Sequence, residues 1–333
     1  MMAAAAMACR GYDDRVSEPY LRTRGVVVYP EDLDLGDWPE RAAAAHLTTI
    51  ALHHGSAPSH IVEYLKRDAG QRFLESCRRL GLEVEYEIHA MRELLPRTLF
   101  EKDPDLFRMT SGGVRTPDAN LCVHSERALG IVAENALRLS EALKPTTGRH
   151  FFWGDDSAEW CRCPKCRPFS DSDQALILEN HVAGALRRHD RHATLAHLAY
   201  ANTIHPPVQV KPGPGIFLEI APIHRRYDIP YSEQIEVQDG LEALDALLAV
   251  FPKDSAQALE YWLDMSRFSG WKRPVPAIPW KRDVFLADVR SYTSRGIRNI
   301  TSFAAWIDAE YVANHHDLSF LQEYGDGLLG ARR

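Results

Sequence analysis

A chain of 333 residues allows one large domain or two ordinary ones, and a chain of that length buries roughly 75% of its unfolded surface. The 39 Lys and Arg against 46 Asp and Glu give a formal charge of −7, which argues against a nucleic-acid scaffold or a basic membrane-surface protein. No apolar run approaches the ~20 residues of a membrane-spanning helix. The Ala-rich start, Met1 to Cys9, has no basic stretch ahead of its apolar part, so the expected location is the cytoplasm, where the six cysteines stay reduced and can hold metal.

Residues 1–23 read as a polar tail or arm without periodicity. The first strand-like run is Gly25 to Tyr29, ending at Pro30-Glu31-Asp32, and a short helix follows from Trp38 to Ala45. The second run, Leu47 to Leu52, ends at His53-His54. A long helix from Ser59 to Gly81 comes next, with an interruption expected at Ala69-Gly70. The third run, Leu82 to Ile88, alternates Glu83, Glu85 and Glu87 with Val84, Tyr86 and Ile88 and ends at His89. Residues 91–122 form a long excursion before a helix over 126–143, for which Ser125 is the expected cap.

The fourth run, Phe151-Phe152-Trp153, stops at Gly154-Asp155-Asp156 and is followed by Cys161-Arg162-Cys163-Pro164-Lys165-Cys166. A helix from Ser170 to His189 leads to the fifth run, Ala193 to Ala201, and a Pro-rich connection leaves little room for a helix before the sixth, Ile216 to Ala221. A loop over 222–239, a helix from Leu241 to Val250, the seventh run from Ala258 to Asp264, a helix from Val284 to Ser294, the eighth run from Ile300 to Trp306 and a last helix over 318–324 complete the chain. Eight strands alternating with helices point to parallel pairing. The expected fold is α/β, a single (β/α)8 TIM barrel over residues 24–330, with long loops after strands 3, 4, 6 and 7.

Active residues of such a barrel sit at the carboxyl ends of its strands. Those ends carry His53, His54, His89, Asp155, Asp156, Tyr200, Asn202, Asp264 and Trp306. Glu219 and Glu260 lie inside apolar strands, where a bare charge is costly and a partner or a proton is required. Alternation puts Glu260, Trp262 and Asp264 on one face, expected to point into the barrel. The catalytic candidates are Asp156, Asp155, Glu219 and Glu260. The substrate-binding candidates are His53, His54, His89, Tyr200, Asn202, Trp262, Asp264 and Trp306, with Trp153, Trp271 and Trp280 as further stacking faces. Cys161, Cys163 and Cys166 are one thiolate short of a closed zinc site; Cys122, on the neighbouring loop, is the expected fourth ligand and His124 the reserve. A disulfide pair or free thiols are the alternatives.

The segments Ala119 to Glu126, Ile131 to Asn135, Trp160 to Cys166 and Leu198-Ala199-Tyr200 resemble the glycoside-hydrolase-like (β/α)8 barrels classed as domain of unknown function 4838. That family has Asn-Asp where this chain has Asp155-Asp156, so the resemblance marks Asp156 as the essential acid. The Asp pair is also similar to that of O-GlcNAcase-type hexosaminidases, which implies that Asp155 orients the substrate's acetamido group while Asp156 donates the proton. The function so implied is removal of a terminal sugar, an N-acetylhexosamine or a uronic acid, from a carbohydrate substrate, with no nucleic acid or membrane partner. The alternatives are a metal-dependent sugar isomerase or lyase, using His89, Glu219, Glu260 and Asp264 as ligands, and a non-catalytic carbohydrate-binding barrel. Structural zinc is the one cofactor expected, and no organic cofactor motif is present.

Overall fold

The computed structural model describes residues 18–333, apart from Ser157 and Glu236. Its eight strands are β1 (Thr23–Val28), β2 (Thr49–His54), β3 (Glu83–His89), β4 (Arg149–Trp153), β5 (Thr194–Ala199), β6 (Ile216–Ile220), β7 (Gln257–Glu260) and β8 (Asn299–Phe303). They pair in parallel and in sequence order, and β8 closes on β1, so the fold is the expected (β/α)8 barrel. The helices are α1 (Trp38–Ala44), α2 (Pro58–Lys66), α3 (Asp68–Leu80), α4 (Met91–Leu94), α5 (Glu126–Ala142), α6 (Asp171–His189), α7 (Leu241–Leu248), α8 (Met265–Phe268), α9 (Arg282–Thr293), α10 (Ala309–His315) and α11 (Ser319–Leu329). Among the described residues no helix is long and apolar enough to cross a membrane.

Two cores result because every strand is buried on both faces. The outer one packs residues such as Val26, Ile50, Leu218 and Ile300 against the helices. The inner one fills the lumen with Val27, Ala51, Phe151, Phe217, Leu259 and Phe303. At Gly25 the lumen leaves no room for a side chain, since an added Cβ would lie 2.9 Å from Thr301 Cγ2.

Several local features differ from expectation. The helix after β2 breaks at Arg67, which is extended (φ −81°, ψ 160°), a few residues ahead of Ala69-Gly70. Gly70 permits the elbow, since a Cβ there would sit 2.3 Å from the Tyr64 carbonyl oxygen. Between β5 and β6, as the Pro-rich connection led one to expect, there is only a 3-10 turn, Ala201–Thr203. α6 compensates by packing on both strands. β7 ends at Glu260, earlier than the apolar run suggests, and the chain turns so that Asp264 can cap α8. Residues 1–17 of the expected tail lie outside the described residues. Of the remainder, Leu21 is buried and Arg22 N donates to the Arg298 carbonyl (2.8 Å).

Candidate active site

The strand ends surround a cleft of about 130 Å³. β2 and β3 bring His53 and His89 to it, and β4 brings Trp153 and, three residues on, Asp156. Tyr200 follows β5, Tyr261 follows β7, Asp264 starts α8 and Phe303 ends β8. Tyr29, the residue after β1, closes the ring. Asp156 and Asp264 are the lining carboxylates, and no Arg or Lys lines the cleft among the described residues.

Both histidines are held by the chain. His53 Nδ1 lies 2.6 Å from the Glu87 carbonyl oxygen, and His89 Nδ1 lies 2.6 Å from that of Gly154. A carbonyl only accepts, so Nδ1 carries the hydrogen and Nε2 of each neutral ring keeps a lone pair. Burial pushes the pKa of His53 down to about 3, helped by His89. Burial also lowers His89, outweighing the opposing pull of Asp156. Two uncharged acceptors therefore face the cleft at neutral pH. Asp156 Oδ1 lies 3.9 Å from His89 Nε2, and its side chain is 56% exposed. Asp264 is buried; its Oδ1 accepts from Ser266 Oγ (2.5 Å) and Arg267 N (3.1 Å), yet burial prevails and its pKa is raised. The Tyr29 phenol is raised by burial and then by the charges of Asp264, Asp32 and Asp156.

Other expected residues lie elsewhere. Asp155 is 7% exposed and turned away from the cleft into an ion pair with Arg97, while its Oδ2 accepts from Asn120 N (2.6 Å). Glu219 points into the lumen but lies under the cleft floor: its Oε2 accepts from Trp153 Nε1 (2.8 Å) and its Oε1 from Gln257 Nε2 (2.9 Å). Glu87, Glu85 and Arg149 share this buried polar layer, and burial raises Glu219 to about 8. Glu260 corrects the expected parity of β7. It faces outwards, in an ion pair with Arg225 (Nη2–Oε1 3.0 Å), and Asp288 of α9 completes the cluster. Trp262 lies with it, donating to Asp288 Oδ2 (3.0 Å). The lumen-facing residues of this segment are instead Leu259 and Tyr261. His54 turns to the loop after β2 and accepts from the backbone of Ser56 and Ala57. Asn202 borders a small side recess that it shares with His89, Asp155 and Tyr200. Trp306 packs beneath the Arg273 guanidinium (4.8 Å) and lies outside the cleft lining. Tyr29, Tyr261, Ser266 and Phe303 were not singled out from the sequence; only the correct parity of β7 and β8 would have exposed Tyr261 and Phe303.

The four cysteines Cys122, Cys161, Cys163 and Cys166 converge, as their spacing suggests. Their Sγ atoms all lie within 4.8 Å of one another, and Cys122 Sγ is 3.8 Å from those of both Cys163 and Cys166. A disulfide requires about 2.05 Å, and all four are free and buried. A tetrahedron of ~2.3 Å metal–sulfur bonds has edges of about 3.8 Å, so the set fits one metal ion. His124 lies just outside, with Nδ1 3.2 Å from Cys166 Sγ.

Solved structures that share this architecture include glycoside hydrolases. The barrel is similar to a β-N-acetylhexosaminidase from Bacteroides fragilis NCTC 9343 (TM-score 0.58, 11% identity, 93% of this chain and 66% of that one). It is also similar to β-galactosidases from the psychrophilic Marinomonas ef1 (TM-score 0.57, 11% identity, 92% and 59%) and from Rahnella sp. R3 (TM-score 0.57, 13% identity, 93% and 57%). The chain thus spans 57–66% of these neighbours' lengths, and at such identities the likeness is one of fold. No curated protein sequence matches it. The sequence profile of the family described as "Domain of unknown function (DUF4838)" matches residues 16–324, and the chain belongs to that family.

Proposed function

We propose that the protein is a glycoside hydrolase that removes a terminal, uncharged sugar, with Asp156 as the proton donor to the leaving oxygen and Asp264 as the second carboxylate. The observation that carries this reading is the cleft itself: two carboxylates, two uncharged imidazole acceptors and aromatic walls over a closed floor. Aromatic faces suit the apolar faces of a sugar ring, and the imidazole Nε2 atoms suit its hydroxyls. A uronic acid is disfavoured, because its carboxylate would meet Asp156 and Asp264 with no Arg or Lys in the lining to offset them. Asp155 does not line this cleft, so its role here is to hold the loop rather than to orient an acetamido group. The isomerase reading loses support, because its ligands His89, Glu219, Glu260 and Asp264 lie in three different places.

The test is a panel of neutral aryl glycosides with the wild type and Asp156→Asn. General-acid catalysis contributes roughly 10²- to 10⁴-fold, so kcat is expected to fall by that order for a poor leaving group and far less for a dinitrophenyl one. A wild type without turnover on any neutral glycoside, or with a preference for uronides, refutes the reading. Sugar binding that is unchanged in Asp156→Asn, without turnover in either protein, identifies a binding barrel instead.

We further propose that the four cysteines hold a structural zinc ion. Four soft thiolates leave no open coordination position, which is the arrangement of structural rather than catalytic sites. Purified protein is expected to carry about one zinc per chain; protein purified without any metal refutes this assignment.

A further inference from the structure

The loops that follow β3 and β4 are stitched together twice, and Asp156 hangs from the inner stitch. The outer stitch is the cysteine cluster, which joins Cys122 of the first loop to Cys161, Cys163 and Cys166 of the second. The backbone reinforces it: Arg162 N donates to the Met109 carbonyl (2.8 Å), and Met109 N donates to Cys161 Sγ (3.3 Å). Arg115 Nη1 lies 3.7 Å from the same sulfur, a cation beside a centre whose thiolates outnumber the charge of one divalent ion. The inner stitch is Asn120. Its N–H donates to Asp155 Oδ2 (2.6 Å) and its Oδ1 accepts from Asp155 N (2.9 Å). Its Nδ2 donates to the Glu159 carbonyl (3.1 Å), and its own carbonyl accepts from Arg97 Nη1 (2.8 Å).

The two stitches are close in sequence on both strands of the seam. Asn120 stands two residues before Cys122, and Glu159 stands two residues before Cys161. Fixing the spacing of the cysteines therefore fixes the spacing of Asn120 and Glu159. The backbone at the inner stitch has little slack: Asn120 adopts a left-handed conformation (φ 41°). A Cβ on Gly154 would lie 3.0 Å from Asn120 Oδ1 and 3.3 Å from Trp160 Cζ2.

We infer that a thiophilic divalent metal held by the four cysteines sets the position of Asp156, acting through Asn120 and Asp155 as positioning residues. This rests on the metal reading of the cysteines and not on the sugar chemistry. The metal draws Cys122 onto the second loop, Asn120 follows, and its bonds to Asp155 hold the residue next to Asp156.

Hydrogen exchange of the full-length protein, followed by mass spectrometry, tests this without a substrate. Stripping the wild type with a chelator is expected to speed exchange in residues 118–123 and 153–162 by about 10-fold or more and to leave β3 and β8 unchanged, with zinc restoring protection. Cys163→Ser should reproduce the stripped pattern and ignore added zinc. Asn120→Ala should keep its zinc yet lose protection in 153–156. The inference is overturned if 153–156 stays protected after the metal is gone, if Asn120→Ala leaves 153–156 protected, or if the whole barrel opens on stripping. A protein that hydrolyses no glycoside would sink the catalytic proposal while leaving these exchange outcomes to decide this one.

Discussion

Asp155 and Asp156 are adjacent, identical in chemistry and opposite in circumstance. The first is 7% exposed and tied to Arg97 and Asn120; the second is 56% exposed at the edge of the cleft. Breaking a buried ion pair by removing one partner costs roughly 3–5 kcal/mol, whereas a change at a largely exposed carboxylate costs far less, on the order of 1 kcal/mol at most. Urea denaturation should therefore find Asp155→Asn destabilised by about 3 kcal/mol and Asp156→Asn close to wild type. Equal losses in the two variants would mean that Asp156 is also part of the scaffold. The run Trp153-Gly154-Asp155-Asp156 displays a strand that ends in acids, so the place of the candidate site was legible in it. That Asp155 is tied into the scaffold was not, because this depends on Asn120 and Arg97, which reach Asp155 from another loop.

At the level of strands and helices, the seventh strand is instructive. In Leu259-Glu260-Tyr261-Trp262 successive side chains point to opposite sides, but a barrel strand is buried on both, so the alternation of direction alone does not say which side is the lumen. The outward side can host a carboxylate because Arg225 comes from the loop after β6 to meet it, with Asp288 of α9 opposite and Tyr292 donating to Glu260. Arg225→Met should leave two buried acids without a cation and cost about 4 kcal/mol by denaturant unfolding; a loss below about 1 kcal/mol would mean that the acids simply take up protons. The cysteines behave differently. Consecutive βα loops are neighbours on the rim, so sequence order was enough to pair Cys122 with the triplet after β4. The sparse connection between β5 and β6 was also legible, from Pro206, Pro207, Pro212 and Pro214. Asp173 at the start of α6 tethers it by accepting from the backbone N–H groups of Val208, Gln209 and Val210.

For the molecule as a whole, the eight apolar runs made the barrel readable, while its polar interior was readable only in part. The alternation Glu83, Glu85, Glu87 marked one side of β3, but Arg149 and Gln257, which complete the layer, belong to other strands, β4 and β7. Three lumen carboxylates share one guanidinium there, and burial raises Glu85, Glu87 and Glu219, the last to about 8. A raised folded-state pKa means that the contribution of Glu219 is fully present below about 4.5 and is lost as pH climbs through about 8. Melting temperature should therefore decline across that interval, and Glu87→Gln, whose Oε1 can still accept from Gln257, should flatten the decline. A wild-type profile that rises from pH 5 to 8 would contradict the assignment.

The same layer closes the barrel from below. Trp153 is fastened to Glu219 by its indole N–H, and beneath it lie Gln257 and Arg149, so nothing as wide as a polysaccharide strand can thread the mouth and leave by the other end. A packed floor is general to barrels of this kind, and on the function proposed above the cleft takes only the tip of a chain. If sugar cleavage is its work, a polymer solution treated with the protein should release monosaccharide steadily and keep its viscosity, whereas an early collapse in viscosity would belong to an open groove that cuts at random.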